Sequence, residues 1–274
     1  KLCTFNFNHS LLFVLNSLPA AGDISDAITK GSEAALQYKI AFIADSENNN
    51  ISLEKVLMSI KKEGAHSVFF LGDYTAWGSI QELEKARNVM DNSGVTYYSL
   101  PGDHDLGQSI GPENYNIVFA NKQETVVEIK GTKFLLLNNS ANKTLISASK
   151  IDFFETELSD ADFVLLSQPL YHHGGPSILR PIMGYLTIDG ELARVADVNE
   201  QAGDLIALVR NSDVKAIFAG DHHSFSVSQD KVRQDLMHIV IGAVTDSYAN
   251  QGKSSVTFLS IYDDGTYFVE EVLY

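Results

Sequence analysis

The sequence predicts an α/β fold organised on a largely parallel sheet. Three observations carry that reading. Between Tyr38 and Leu100, short apolar runs rich in strand formers alternate with stretches whose apolar residues recur at helical spacing. That is the pattern of a sheet with helices packed on it. Each apolar run then stops at a polar group: Asp45-Ser46-Glu47, Gly72-Asp73 and Asp103-His104-Asp105. Finally, 274 residues with 45% hydrophobic content suffice for a sizeable core in one large domain or two small ones. Cys3 is the only cysteine, so that core forms without an intrachain disulfide.

Residues 22–37 read as a linker, helical around Ile28 to Leu36, after which one domain spans 38–274. Tyr38 to Ala44 is an apolar strand. Ser52 to Glu63 is a helix with Leu53, Val56, Leu57 and Ile60 on one face, and Gly64 suits its C-terminal cap. Ser67 to Leu71 is a buried strand. Ile80, Leu83, Arg87 and Met90 mark a second helix, stopped near Gly94, and Val95 to Leu100 is the third strand. Gly107 to Pro112 reads as a loop. Right-handed crossovers would bring Asp45, Asp73 and Asp103 to one edge of the sheet.

The second half changes texture. Glu124 to Ile129 and Lys133 to Asn138 read as a hairpin around Lys130-Gly131-Thr132. A helix over Ser149 to Leu158 and a strand over Asp162 to Leu166 lead to Ser167-Gln168-Pro169. A Gly- and Pro-containing loop, His172 to Asp189, follows, and then a helix over Asp197 to Val209. A strand over Val214 to Ala219 ends in Gly220-Asp221-His222-His223. Met237 to Ile241, Val256 to Tyr262 and Tyr267 to Leu273 close the chain as strands, the last two joined by Asp263-Asp264-Gly265.

A formal net charge of -15 disfavours general nucleic-acid or anionic-membrane binding, which needs a basic surface. It leaves a phosphate-containing small molecule open, because clustered carboxylates reverse their local field on binding divalent cations. No run is long and apolar enough to span a bilayer. At the N-terminus, Lys1 precedes an apolar stretch with Leu11 to Leu15 at its centre, and Pro19-Ala20-Ala21-Gly22 follows. Two readings of 1–37 stand. One is a targeting remnant, which would make the protein extracytoplasmic or secreted. The other is an ordered N-terminal strand or helix, as Asn6, Asn8, His9 and Asn16 interrupt the stretch. Oligomeric state is not legible.

Any one of the five polar strand ends reads first as a structural turn. Five in order, each after an apolar strand, point to metal-assisted hydrolysis. Crowded carboxylates repel one another and need protons or cations. Two divalent ions roughly 3.5–4 Å apart would neutralise them and clamp a phosphate in line. A histidine flanked by acids, as in Asp103-His104-Asp105, can move protons near neutral pH.

The order D-x-x, G-D, G-x-H-D, a turn with Pro, and G-x-x-H resembles the calcineurin-like metallophosphoesterases, over residues 38 to about 245. Phe154 to Tyr171 and Gly242-Ala243 are similar to further stretches of that family. The resemblance implies a four-layer α-β-β-α sandwich, two packed mixed sheets flanked by helices. It also implies metal ligands. One cation would be held by Asp45, Glu47, Asp73 and His223. The other would be held by Asp73, Asp103 and Asp221. His104 would assist the leaving oxygen, with Asp105 orienting it.

The chain departs from the family pattern in a consistent direction. Glu47, Asp103 and Asp221 stand where the family has His, Asn and His, and Ser167 stands where it has a fourth-motif His. Such carboxylate-rich sets favour Mn²⁺, Mg²⁺ or Ca²⁺ over zinc or iron, with a second position that binds weakly or stays empty. Ser167, Gln168 or the pair His172-His173 could compensate as ligands or meet the substrate, although the histidine pair reads first as a solvated loop. Gly174-Gly175-Pro176 falls where a lid would sit. Tyr74 and Trp77 read as packing residues, with stacking on a substrate as the alternative.

Two functions follow. The first is a divalent-metal-dependent hydrolase of phosphoester bonds with an atypical acidic dinuclear site. The second is a catalytically impaired member of that fold, acting as a cation-binding structural or interaction module.

Overall fold

A computed structural model of the chain describes residues 34–120, 124–140, 145–172, 195–245 and 252–274, with short strand stretches at 6–7, 10–15, 175–176, 185–186 and 192–193. The strands in chain order are β1 (Asn6–Phe7), β2 (Ser10–Leu15), β3 (Leu36–Ile43), β4 (Ser67–Leu71), β5 (Tyr97–Leu100), β6 (Glu124–Ile129), β7 (Thr132–Leu137), β8 (Phe163–Leu166), β9 (Tyr171–His172), β10 (Gly175–Pro176), β11 (Tyr185–Leu186), β12 (Leu192–Ala193), β13 (Ala216–Ala219), β14 (Ser226–Gln229), β15 (Met237–Val240), β16 (Ser255–Tyr262) and β17 (Tyr267–Leu273). The helices are α1 (Asn50–Lys62), α2 (Ile80–Ser93), α3 (Glu113–Phe119), α4 (Ala148–Leu158) and α5 (Val195–Arg210).

Two mixed sheets result, ordered β1-β2-β17-β16-β3-β4-β5 and β14-β15-β13-β8-β7-β6. Their facing sides share one core, in which Phe42 stacks on Phe218 with ring centroids 4.2 Å apart and Phe69 meets Phe134. Alternation along each central strand supplies a second apolar side. Ala41, Ile43, Val68 and Phe70 pack on α1, α2 and α3, and Val164, Leu166 and Ile217 pack on α4 and α5. This is the four-layer α-β-β-α sandwich expected. Among the described residues, no helix is long and apolar enough to cross a membrane.

Local signals set the helix ends. Asn49 accepts from the N–H of Ser52 to start α1, Ser79 and Glu82 form a capping box on α2, and Gly94 ends α2 with φ 66°. Two elements differ from the sequence reading. The helix α3 has no counterpart in the sequence reading, although the loop expected over 107–112 is present between it and a 3-10 turn, His104–Leu106. The polar edge strand β14, unmarked by apolar alternation, forms by antiparallel pairing with β15. Ser10–Leu15 runs antiparallel to β17, Ser10 opposite Val272 and Leu15 opposite Tyr267. The helix expected around Ile28 to Leu36 falls mostly outside the described residues. Of the expected lid, only Gly175–Pro176 is described, paired with Tyr171–His172.

Candidate metal centre

Parallel register brings the site together. Ile43 lies opposite Phe70 and Leu71 opposite Leu100, so β3, β4 and β5 end on one edge. In the second sheet Leu166 pairs with Ala219, and Ala219 with Val240. The two edges are joined by a bridge between Ala44 and Ala243 and by Thr245 N–H donating to Asp45 O, 3.0 Å. Gly220 sits where the sheets abut: a Cβ there would come within 2.7 Å of Leu71 O and 2.9 Å of the Ala44 Cβ. Only glycine allows this approach.

The backbone is strained where the candidate ligands lie. Asp45, Glu47, Asp73, Asp221 and His223 all have positive φ, between 42° and 74°. Side chains other than glycine adopt that region at a cost, and such strain collects at functional sites. Gly102 is required by close approach, as its Cβ would fall 2.0 Å from Asp73 Oδ1.

Asp45 is fully buried, and neither of its carboxylate oxygens has a hydrogen-bond partner. Burial pushes its pKa up to about 8, with the charges of Asp221 and Glu47 adding to the rise and His223 opposing it. Asp73 is raised well above the carboxylate range, first by burial and then by Asp45, Asp103, Asp105 and Asp221. His223 Nε2 lies 3.3 Å from Glu47 Oε1 and 3.7 Å from Asp45 Oδ1. Its contact with Glu47 leads the causes that raise it to about 9, and the same contact lowers Glu47. The imidazolium thus stands in for a cation among these acids.

Asp73, Asp103 and Asp221 form a second group. Each offers one carboxylate oxygen, and the three atoms lie within 4.8 Å of one another. Asp221 Oδ1 accepts from Gln168 Nε2 at 3.0 Å, and its other oxygen is 3.5 Å from His222 Nε2. Gln168 is buried, as is Ser167. Asn139, on the turn after β7, clamps the Gln168 backbone: its Nδ2 donates to Gln168 O at 2.8 Å and its Oδ1 accepts from Gln168 N at 3.0 Å. Sequence reasoning missed Asn139; its doublet with Asn138 at a strand end was the signal available.

His104 is exposed on the 3-10 turn, tied to the cluster by its backbone N–H, which donates to Asp73 Oδ1 at 3.0 Å. Its ring is held by a backbone carbonyl, with Nδ1 3.0 Å from Ala76 O. This corrects the expected pairing with Asp105. Buried Asp105 instead accepts from Gly102 N, Tyr74 N, Thr75 N and Thr75 Oγ1. Its carboxylate is consumed in fastening the 73–75 loop to the 101–105 turn. Burial pushes it up to about 7 against those donors.

Tyr74 packs in the core, its hydroxyl donating to Leu100 O at 2.8 Å. Trp77, expected to pack, is 60% exposed. The backbone of His172 lies in β9, whereas His173 lies outside the described residues.

Two packed sheets with an acidic group at their joined strand ends define a metallophosphoesterase fold. The chain belongs to the calcineurin-like phosphoesterase family, whose model matches residues 38–225. Members of that family are generally phosphoester hydrolases with a dinuclear divalent-metal site. Solved structures similar to this chain include a dimetal phosphatase from Danio rerio, with TM-score 0.58 and 13% identity over 84% of this chain and 94% of that one. A purple acid phosphatase from yellow lupin, Lupinus luteus, gives TM-score 0.60 and 12% identity over 87% of this chain and 53% of that one. A Thermus thermophilus protein gives TM-score 0.53 and 13% identity over 81% and 94%. At such identities the likeness is one of fold. A search among curated proteins found no match.

Proposed function

We propose that this protein is a divalent-metal-dependent hydrolase of phosphoester bonds with a carboxylate-rich two-cation site. The observation that carries the reading is Asp45, a carboxylate wholly buried with neither oxygen hydrogen-bonded and His223 Nε2 no nearer than 3.7 Å. A buried charge without a partner is costly unless protonated or bound to a cation. Asp45, Glu47, Asp73 and His223 would hold one cation, and Asp73, Asp103 and Asp221 the other. The carboxylate oxygens suit Mn²⁺, Mg²⁺ or Ca²⁺, and the His223 imidazole also admits a borderline metal at the first position.

Bound cations would neutralise the acids, draw in the phosphoryl group and polarise water and phosphate oxygens. The residues do the rest. Asp73 belongs to both ligand sets and fixes their separation. Its bond from His104 N–H sets the distance between the 3-10 turn and the metal ligands. With Nδ1–H donated to Ala76 O, the His104 ring keeps one orientation and leaves Nε2 for the leaving oxygen. Asp105 acts through the loop that it fastens.

Hydrolysis of p-nitrophenyl phosphate and bis(p-nitrophenyl) phosphate by metal-stripped protein, reconstituted with Mn²⁺, Mg²⁺ or Ca²⁺, tests this. Turnover with a cation and its loss in Asp73→Asn are expected. No turnover with any cation would sink the hydrolase reading. Ser167, where the family has a histidine, favours a second reading, a cation-binding module without catalysis. Cation-dependent thermal stabilisation without hydrolysis would select it.

A further inference from the structure

We infer that the two cation positions are chemically unequal, and that the second is an all-oxygen site completed by the Gln168 side-chain carbonyl and held in place by Asn139. This rests on the two-cation reading above.

Gln168 is 1% exposed, and its Oε1 is buried with no hydrogen-bond partner. Its Nε2 is bonded to Asp221 Oδ1, so the carboxamide lies against the group of Asp73, Asp103 and Asp221. A buried amide oxygen without a donor is an acceptor awaiting a partner, and at this place a cation supplies one. The backbone beneath it is held, because both backbone polar groups of Gln168 are taken by the Asn139 carboxamide. Asn139 is itself 1% exposed. The result is a relay from the end of β7 through Asn139 and Gln168 to Asp221, with the orphan Oε1 on the same carboxamide as the Nε2 that meets Asp221.

The donor types then differ between the positions. His223 belongs to the first, beside Glu47 and Asp45. The second has three carboxylates and one amide. His222 touches Asp221 from its other oxygen, Oδ2, and falls outside the group of three. Imidazole nitrogen suits zinc, whereas carboxylate and carbonyl oxygens suit calcium and magnesium. The first position therefore accepts a borderline metal, and the second selects a hard one. Asn139 is a positioning residue, and Gln168 is a ligand.

Equilibrium dialysis with elemental analysis on the full chain tests this, with Zn²⁺ alone and with Zn²⁺ plus Ca²⁺. One tight Zn²⁺ per chain is expected in the first case, and one of each in the second. Gln168→Ala should weaken Ca²⁺ by about tenfold or more and leave the tight Zn²⁺ in place, which also reports an intact fold. Asn139→Ala should weaken Ca²⁺ in the same direction, Gln168→Glu should keep it, and His222→Ala should change neither metal. Two tight Zn²⁺ in the parent chain, unchanged Ca²⁺ affinity in Gln168→Ala, or loss of Ca²⁺ in His222→Ala would overturn the inference while leaving the two-cation reading intact. Absence of any bound metal would instead overturn the reading beneath it.

Discussion

Two buried carboxylate groups, one at each end of β13 or just beyond, meet opposite electrostatic fates. Beyond its C-terminal end, Asp45, Asp73, Asp103 and Asp221 crowd together, with His223 beside Asp45 and His222 beside Asp221, and the buried pair Asp45 and Asp73 are pushed up. In the loop between β14 and β15, Asp230 is equally buried and also touches a histidine, with His238 Nε2 3.0 Å away. Burial alone would raise Asp230 too. There the fork of Arg210, at 2.9 Å on both oxygens, outweighs it together with the N–H groups of Arg233 and Val232, so Asp230 stays below the usual range. One cluster carries its own countercharge; the other needs it from outside. On the proposed reading, this difference separates an architectural acid from a metal-binding one better than burial or a neighbouring histidine does.

The largest effect expected falls on the ligand shared between the two sets. Asp73→Asn should lower turnover by ~100-fold or more, as metal-site partners a shell further out already cost 10–100-fold, measured as kcat/KM with Mn²⁺. His104→Ala should cost about 100-fold in kcat through lost proton transfer while leaving bound metal, by elemental analysis, unchanged. A loss of metal instead would make His104 a structural member of the cluster.

The contrast predicts a different outcome at the compensated acid. Asp230→Asn should cost roughly 3 kcal/mol of stability in urea melts, the scale for breaking a buried ion pair, with kcat/KM unchanged. Because Asp230 is held low in the fold, its stabilisation is present above the ordinary carboxylate value of about 3.9. It is lost as pH falls below that value. Parent and variant should therefore converge as the melts are moved from neutral pH toward pH 2. Persistence of the full gap would break the comparison.

Asp45 should show the reverse sign. A carboxyl held at about 8 in the fold destabilises progressively as pH rises from the ordinary carboxylate value through 8, because the unfolded chain releases the proton first. At pH 9 without divalent cations, Asp45→Asn should raise the melting temperature, by about 2–4 °C per kcal/mol relieved. With Mn²⁺ present it should lower it. The same sign in both conditions would deny Asp45 a cation.

Much of this was legible beforehand. Apolar periodicity located β3, α1, β4, α2 and the β6–β7 hairpin within a few residues, because each buries a face that its own sequence must make apolar. The helix α3 was legible but passed over: Tyr115, Val118 and Phe119 are its buried face, behind a Gly- and Pro-bearing run that reads as loop. The strand β14 was not legible, since its polar residues pair only because β15 offers an open edge.

By itself the sequence determined which residue types stand at the strand ends, and hence that acids converge at one edge. The handedness of the crossovers follows from strand twist, whereas the place of β16 beside β3 does not. Tertiary structure alone decided which side chains meet. Asp105 turned from His104 to the 73–75 loop, Ala76 O took the imidazole, and Asn139 gripped Gln168 against Asp221. Those contacts join residues 28 to 53 apart in the chain. They lie between loops that follow strands of one sheet, β4 and β5 in the first and β7, β8 and β13 in the second, and the two sheets themselves abut at Gly220 with no room for a Cβ, a fit that no local stretch of the chain encodes.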